Sequence, residues 1–350
     1  MSDPSLGKAF GAAELLVGVT LLDEWQVEER IRYDDGISGS TRSACYRAKS
    51  ADGRNAFIKA FDFRYHELAG DTDALEHMVR EYNYERNVHY FCLESKLSRV
   101  TRIYGAGKIV VNKEAVHFLA CEWLEKSLRE RQPPGDNAVS TAQRFLALRD
   151  AAAALAQLHQ AGIAHQDIKP SNAVCSESGY LKLTDLGSSS CQSIESPPHD
   201  TQIIVGQPNY APYELLYEHP PSLWKSRRFG CDLFLLGNLC FTSLVGASLT
   251  FAILHTIPEQ YRHDSFTEDY SQVLPHLIEA HDFLIPELLK GSVHDKLLDE
   301  VVHLIKCLCH PDPQQRGHSK NLSRNNNPLG LERVISQFDI LATKAKLLKS

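Results

Sequence analysis

The sequence has no excess of positive charge to offer a polyanion. Lysine and arginine number 37 against 44 aspartates and glutamates, a formal balance of −7. Basic residues gather only briefly, at Lys225, Arg227 and Arg228 and among a few lysines near the C-terminus. Nucleic acid and anionic membrane are therefore not expected as main partners. A disulfide framework is also missing. The nine cysteines are scattered without even pairing, which points to a reducing compartment, the cytoplasm. Cys307, Cys309 and His310 lie close together, but two thiols one residue apart without a second pair read as core residues of a helix. The opening MSDPSLGKAF lacks the basic-then-apolar plan of a signal peptide. One uncharged run, Leu233 to Leu254, is long enough to cross a bilayer. Asn238 inside it and a break near Gly246 suit a protein interior better than lipid, so we expect core and no membrane span.

What is present is concentrated in residues 159–187, HQAGIAHQDIKPSNAVCSESGYLKLTDLG. A helix ends at Gly162. A short loop then presents His165, Asp167, Lys169 and Asn172, and a hairpin stops on Asp185-Leu186-Gly187. These residues supply a carboxylate to accept a hydroxyl proton, an ammonium beside it, and an amide and second carboxylate suited to a hard divalent cation. Mg²⁺ prefers a few oxygen ligands completed by substrate phosphates. Phosphoryl transfer needs that set: a positioned nucleophile, metal on the phosphates, and neutralised charge.

At these residues the sequence resembles the protein kinase family. HQDIKPSN matches H-R-D-x-x-x-x-N in spacing, and Asp185-Leu186-Gly187 stands where the family has D-F-G. The resemblance implies an α+β, bilobal fold: a small antiparallel β-rich N-lobe with one main helix, and a larger, mostly α-helical C-lobe. It divides the chain into an extension (1–24), an N-lobe (25–121), a hinge and C-lobe (122–320) and a C-terminal loop and helix (321–350). The apolar patches of residues 1–22 pad the small lobe. Strands are expected at Trp25–Ile31, Ala44–Ala48, Ala56–Lys59, Val100–Tyr104 and Val116–Ala120, with a helix over Leu75–Cys92.

By the same resemblance Asp167 is the catalytic base, Lys169 neutralises the γ-phosphoryl group, and Asn172 and Asp185 hold Mg²⁺. Lysine two residues after the aspartate is the serine/threonine form, so the expected partners are proteins bearing Ser or Thr, and the cofactors are ATP and Mg²⁺. Lys59, in Ala56-Phe57-Ile58-Lys59, matches the lysine that contacts the α- and β-phosphates. Its helix carboxylate is Glu81, in Val79-Arg80-Glu81, with Glu85 on the same stripe as the alternative. Glu122 and Leu124 resemble the hinge that binds the adenine edge, with Cys121 before them as gatekeeper. The glycine-rich loop falls on DDGISGSTRS, where Ser38, Gly39 and Ser40 would close over phosphate.

Several positions depart from the family pattern. Serines replace loop glycines, and Phe57 stands where a small residue lies under the base. Gln166 replaces the arginine that grips a phosphate on the activation segment (Asp185 to Glu214), so activity without compulsory phosphorylation of that segment is expected. Gln207, in GQPNYAPYE, replaces a threonine. Asp232 matches the aspartate that anchors the catalytic loop, and the resemblance makes the uncharged run it opens the buried central helix of the large lobe; Arg316 matches the arginine that pairs with Glu214. The abbreviated motifs are similar to those of bacterial kinases. The contrasting reading is a pseudokinase, a nucleotide-binding scaffold, which the altered loop and Phe57 favour and intact Lys59, Asp167, Asn172 and Asp185 oppose.

Overall fold

The computed structural model describes residues 11–32, 43–63, 72–128, 140–176, 179–194, 197–323 and 327–348. The chain forms two compact units. One comprises Met1–Lys96 and Thr101–Leu124, the other Leu97–Val100 and Glu125–Ser350. The division thus follows Leu124, three residues beyond the expected Cys121, and four residues before β5 belong with the second unit.

The first unit is built on an antiparallel sheet. Its strands are β1 (Thr20–Leu21), β2 (Trp25–Ile31), β3 (Ser43–Lys49), β4 (Asn55–Phe61), β5 (Ile103–Val111) and β6 (Glu114–Glu122), in spatial order β1-β2-β3-β4-β6-β5. Side chains alternate across a strand, and the β4 sequence uses both faces. Ala56, Ile58 and Ala60 join Trp25, Val27, Tyr46, Phe118 and Ala120 on one side. Phe61 joins Ile103, Leu119 and Cys121 on the other, under Met78 and Tyr82 of helix α1 (Thr72–Glu94).

Residues 11–22 are part of this core. Ala12, Ala13, Leu16 and Leu21 are buried against the first face, and the Tyr46 hydroxyl donates to Ala13 O at 2.6 Å. The fourth expected strand is displaced. β5 begins at Ile103 and returns through Asn112 and Lys113, whose φ values of 51° and 70° are those of a tight hairpin turn. Val100, itself part of the second unit, instead bridges Leu183 of that unit, where Leu183 N–H donates to Arg99 O at 3.1 Å.

Helix α2 (Thr141–Gln160) opens the helical unit with a reciprocal cap between Ser140 and Gln143, satisfying two amides of its first turn. Its face of Phe145, Leu148, Ala152, Leu155 and Leu158 is fully buried. The apolar run is divided between α3 (Trp224–Val245) and α4 (Leu249–Thr256). Asp232 therefore lies inside α3 rather than at its start, because the helix begins at Trp224. Gly246 closes α3 at φ 89°, a left-handed cap that favours glycine. Among the described residues α3 is the one helix long and apolar enough to span a membrane, and most of it is buried in the protein. Helices α5 (Tyr270–Leu289), α6 (Asp295–Leu308) and α7 (Glu332–Leu347) belong to the same unit. Val334, Phe338, Leu341 and Ala345 of α7 are buried, and Arg149 of α2 pairs with its Asp339 at 3.1 Å.

Candidate active site

In the first unit, Lys59 lies on the sheet face beneath α1. Its Nζ contacts both Glu85 oxygens, at 2.8 and 3.0 Å. The carboxylate on Lys59 is thus Glu85, which corrects the expectation of Glu81. Glu85 lies in the middle of the buried face of α1 defined by Met78, Tyr82, His89 and Cys92, and its side chain is 5% exposed. Glu81 sits at the edge of that face, 31% exposed, and pairs with His77 at 3.2 Å. Phe57 stands directly across from Cys121, two residues before Lys59 and so on the same face. Burial pushes the Cys121 thiol up to about 12, with the nearby Glu85 charge adding to the effect.

In the second unit, the turn after α2 carries a compact cluster. Asp167 Oδ2 accepts from Lys169 Nζ at 2.8 Å and Asn172 Nδ2 at 2.9 Å. Oδ1 accepts from the main-chain N–H of Gln207 at 3.2 Å. Burial raises the pKa of this carboxyl, and the Lys169 ammonium opposes the rise. Gln207 thus reaches Asp167 through its backbone, and the residue before it makes that approach possible. Gly206 has φ 81°, and a Cβ there would stand 2.7 Å from Gln166 O and 2.8 Å from Asp167 Oδ1.

The loop is held from beneath by Asp232. Its Oδ2 accepts from His165 N at 2.8 Å and its Oδ1 from Gln166 N at 2.7 Å. His159, from the end of α2, contacts Oδ2 at 2.8 Å. His165 Nε2 lies 3.0 Å from Thr184 O, tying the loop to the hairpin of β9 (Ala173–Cys175) and β10 (Leu181–Leu183), as these are numbered after the short strands β7 (Lys126–Ser127) and β8 (Ile163–Ala164).

The protein kinase domain model matches residues 38–326, most of the chain. It belongs to the protein kinase family. Relatives include the serine/threonine-protein kinase PTK1/STK1 of Saccharomyces cerevisiae, 34% identical over 61% of this chain and 34% of that protein. The Aurora/IPL1-related protein kinase 2 of Caenorhabditis briggsae is 28% identical over 47% of this chain and 43% of its own. Aurora kinase A-B of Xenopus laevis is 30% identical over 43% and 34%. The kinase chain therefore spans less than half the length of these relatives.

In this kinase the hairpin brings the two metal candidates near one another. Thr184 N–H donates to Asn172 O at 3.0 Å, and Asp185 follows at once with φ 62°. Asn172 Nδ2 is bonded to Asp167, so its Oδ1, which also accepts from Ser171 Oγ at 3.3 Å, is the atom of this side chain that could accept a hard cation. One amide oxygen and one carboxylate fit Mg²⁺, which completes its shell with water and phosphate. Among the described residues no three His, Cys, Asp or Glu side chains converge as a metal cage.

The remaining expectations fall as follows. Glu122 ends β6, with its N–H donating to Arg102 O at 2.8 Å, and Leu124 is the last residue of the first unit. Ser38, Gly39 and Ser40 lie outside the described residues. Glu214 and Arg316 make a doubly bonded pair at 2.7 and 2.8 Å, with side chains at most 1% exposed. Sequence reasoning missed Gly206 and His159. Gly206 was visible as the glycine opening the GQPNYAPYE segment, whereas His159 carries no signal apart from its place at the end of α2.

Proposed function

We propose that this kinase transfers the γ-phosphoryl group of ATP to Ser or Thr hydroxyls of protein substrates, in the reducing cytoplasm. The observation that carries the reading is the single buried carboxylate of Asp167, which gathers an ammonium, an amide and a main-chain N–H. Asp167 orients the acceptor hydroxyl and takes its proton, a role for which the raised pKa provides a stronger base than an ordinary aspartate. Lys169, anchored on Asp167, is poised to neutralise the transferred group. Lys59, fixed by Glu85, is the candidate contact for the nucleotide phosphates, and Glu122 and Leu124 for the adenine edge. Asn172 and Asp185 would hold Mg²⁺, which supplies charge neutralisation on the phosphates.

Protein kinases as a family use a nucleotide and a divalent metal, and the relatives are named as kinases, so the scaffold reading is not favoured. Incubation with labelled ATP and Mg²⁺, followed by mapping of modified residues on the enzyme and on a Ser/Thr peptide library, tests the reading. We expect label on hydroxyl residues with wild type and little with Asp167→Asn. Nucleotide binding without transfer in cis or trans would overturn it.

A further inference from the structure

In the catalytic loop, the position where the family carries an arginine is held by Gln166, which bonds the activation segment in a different way. Gln166 adopts φ 63° and spans two partners with its amide. Its Nε2 donates to Ser188 O at 2.9 Å and to Ser190 Oγ at 2.8 Å. Its Oε1 accepts from Arg228 Nη1 at 2.6 Å. A guanidinium has no acceptor, so the amide orientation is fixed by Arg228. Arg228 lies in the early turns of α3 with its side chain 3% exposed, and its other nitrogen, Nη2, bonds the carboxylate of Asp200, a residue of the activation segment.

The same part of α3 holds the segment at a second point, where Arg227 Nη2 donates to Gln202 O at 2.8 Å. His199 Nε2 contacts Ser189 O at 3.0 Å. Ser190 and Cys191, strand β11, pair with β8 just before the catalytic loop. A continuous chain of bonds therefore runs from Asp200 through Arg228 and Gln166 to Ser188 and Ser190. It ends on the residues that follow Asp185 and on the backbone that precedes Asp167.

We infer that Asp200 is a built-in anion that orders the activation segment through Arg228 and Gln166, doing without modification what a phosphate would otherwise do. A buried guanidinium requires an acceptor with charge, and the segment supplies one in its own sequence. Ser189 and Ser190 are buried and bonded into the clamp, so they are structural residues of it and not acceptor sites. Asp200 and Arg228 are positioning residues, since neither touches the reacting groups. The inference rests on the kinase reading for its activity arm alone.

The test compares Asp200→Asn, Asp200→Glu and Arg228→Met in the full chain. Removing one charge-assisted bond is expected to lower kcat/KM for a serine peptide about tenfold to a hundredfold. KM for ATP should stay within about twofold, and Asp200→Glu should restore most of the loss. Phosphatase-treated wild type should keep its activity. Hydrogen exchange supplies the arm independent of catalysis: amides of residues 186–194 should exchange faster in Asp200→Asn, with α2 and α3 unchanged. Unaltered exchange in that stretch would overturn the clamp, as would loss of wild-type activity on phosphatase treatment. If wild type transfers no phosphate while exchange rises locally, the clamp stands and the catalytic proposal fails.

Discussion

Replacing Asp167 with asparagine puts an amide into a seat shared by three donors, Lys169 Nζ, Asn172 Nδ2 and Gln207 N. An amide has one acceptor oxygen, so one donor must face its NH₂. The least costly arrangement keeps oxygen toward Lys169 and Asn172 and turns nitrogen toward Gln207, whose bond at 3.2 Å is the longest. That forfeits about 1 kcal/mol for the bond and weakens the hold on Lys169. Against this, the variant no longer buries an ionised carboxylate, whose burial already pushes its pKa upward. The net loss should stay within about 2 kcal/mol, small beside the roughly 5–15 kcal/mol of a typical fold. Turnover loses its proton acceptor and should fall about 10²–10⁴-fold. Steady-state phosphorylation of a serine peptide and a thermal melt measure the two effects. Turnover within about threefold of wild type would refute the role, and unfolding of the variant would refute the seat argument.

Further outcomes are expected elsewhere. Glu85→Gln should lower kcat/KM for ATP about tenfold or more, whereas Glu81→Gln should stay within about twofold; equal effects of the two in steady-state kinetics would contradict the Lys59–Glu85 pairing. The acidic limb of the kcat/KM profile should lie above pH 3.8, the ordinary value for aspartate, with activity rising as Asp167 ionises. Arg316→Met leaves Glu214 buried without its guanidinium and should cost about 3–5 kcal/mol in urea unfolding. Burial lowers His281 from 6.5 to about 3, so below pH 6.5 the unfolded chain takes a proton that the folded chain refuses. Stability should therefore fall as pH drops from 6.5 toward 3, by up to about 4–5 kcal/mol from this group. Melts of His281→Gln at pH 7 and 5 should show a flatter dependence.

The legible parts of this protein were those whose chemistry is local in the chain. Alternation in Ala56-Phe57-Ile58-Lys59 put lysine on one sheet face and the apolar Ala56 and Ile58 on the other. Asn172, five positions after Asp167, could close back on it, and Lys169 stands two positions after Asp167. The helical repeat of Phe145, Leu148, Ala152 and Leu155 identified the element that delivers them. Each depends on short-range geometry, so order and spacing sufficed to name the family and the catalytic loop.

Other features depended on which way a formed element turned in its packing. Glu81 and Glu85 lie one helical turn apart on nearly one stripe, and the choice fell to Glu85 because Met78 and Tyr82 turn that part of α1 into the core. Val100 reads as strand, yet its backbone pairs with Leu183, more than eighty residues onward. Gln166 looked like the loss of a phosphate grip until α3 brought Arg228 to its oxygen and Asp200 to Arg228. Sequence alone determined most of the elements and the reactive loop, since these follow from neighbours along the chain. Only the tertiary structure decided which distant charges meet, because that is fixed by burial of whole faces and not by any spacing within one segment.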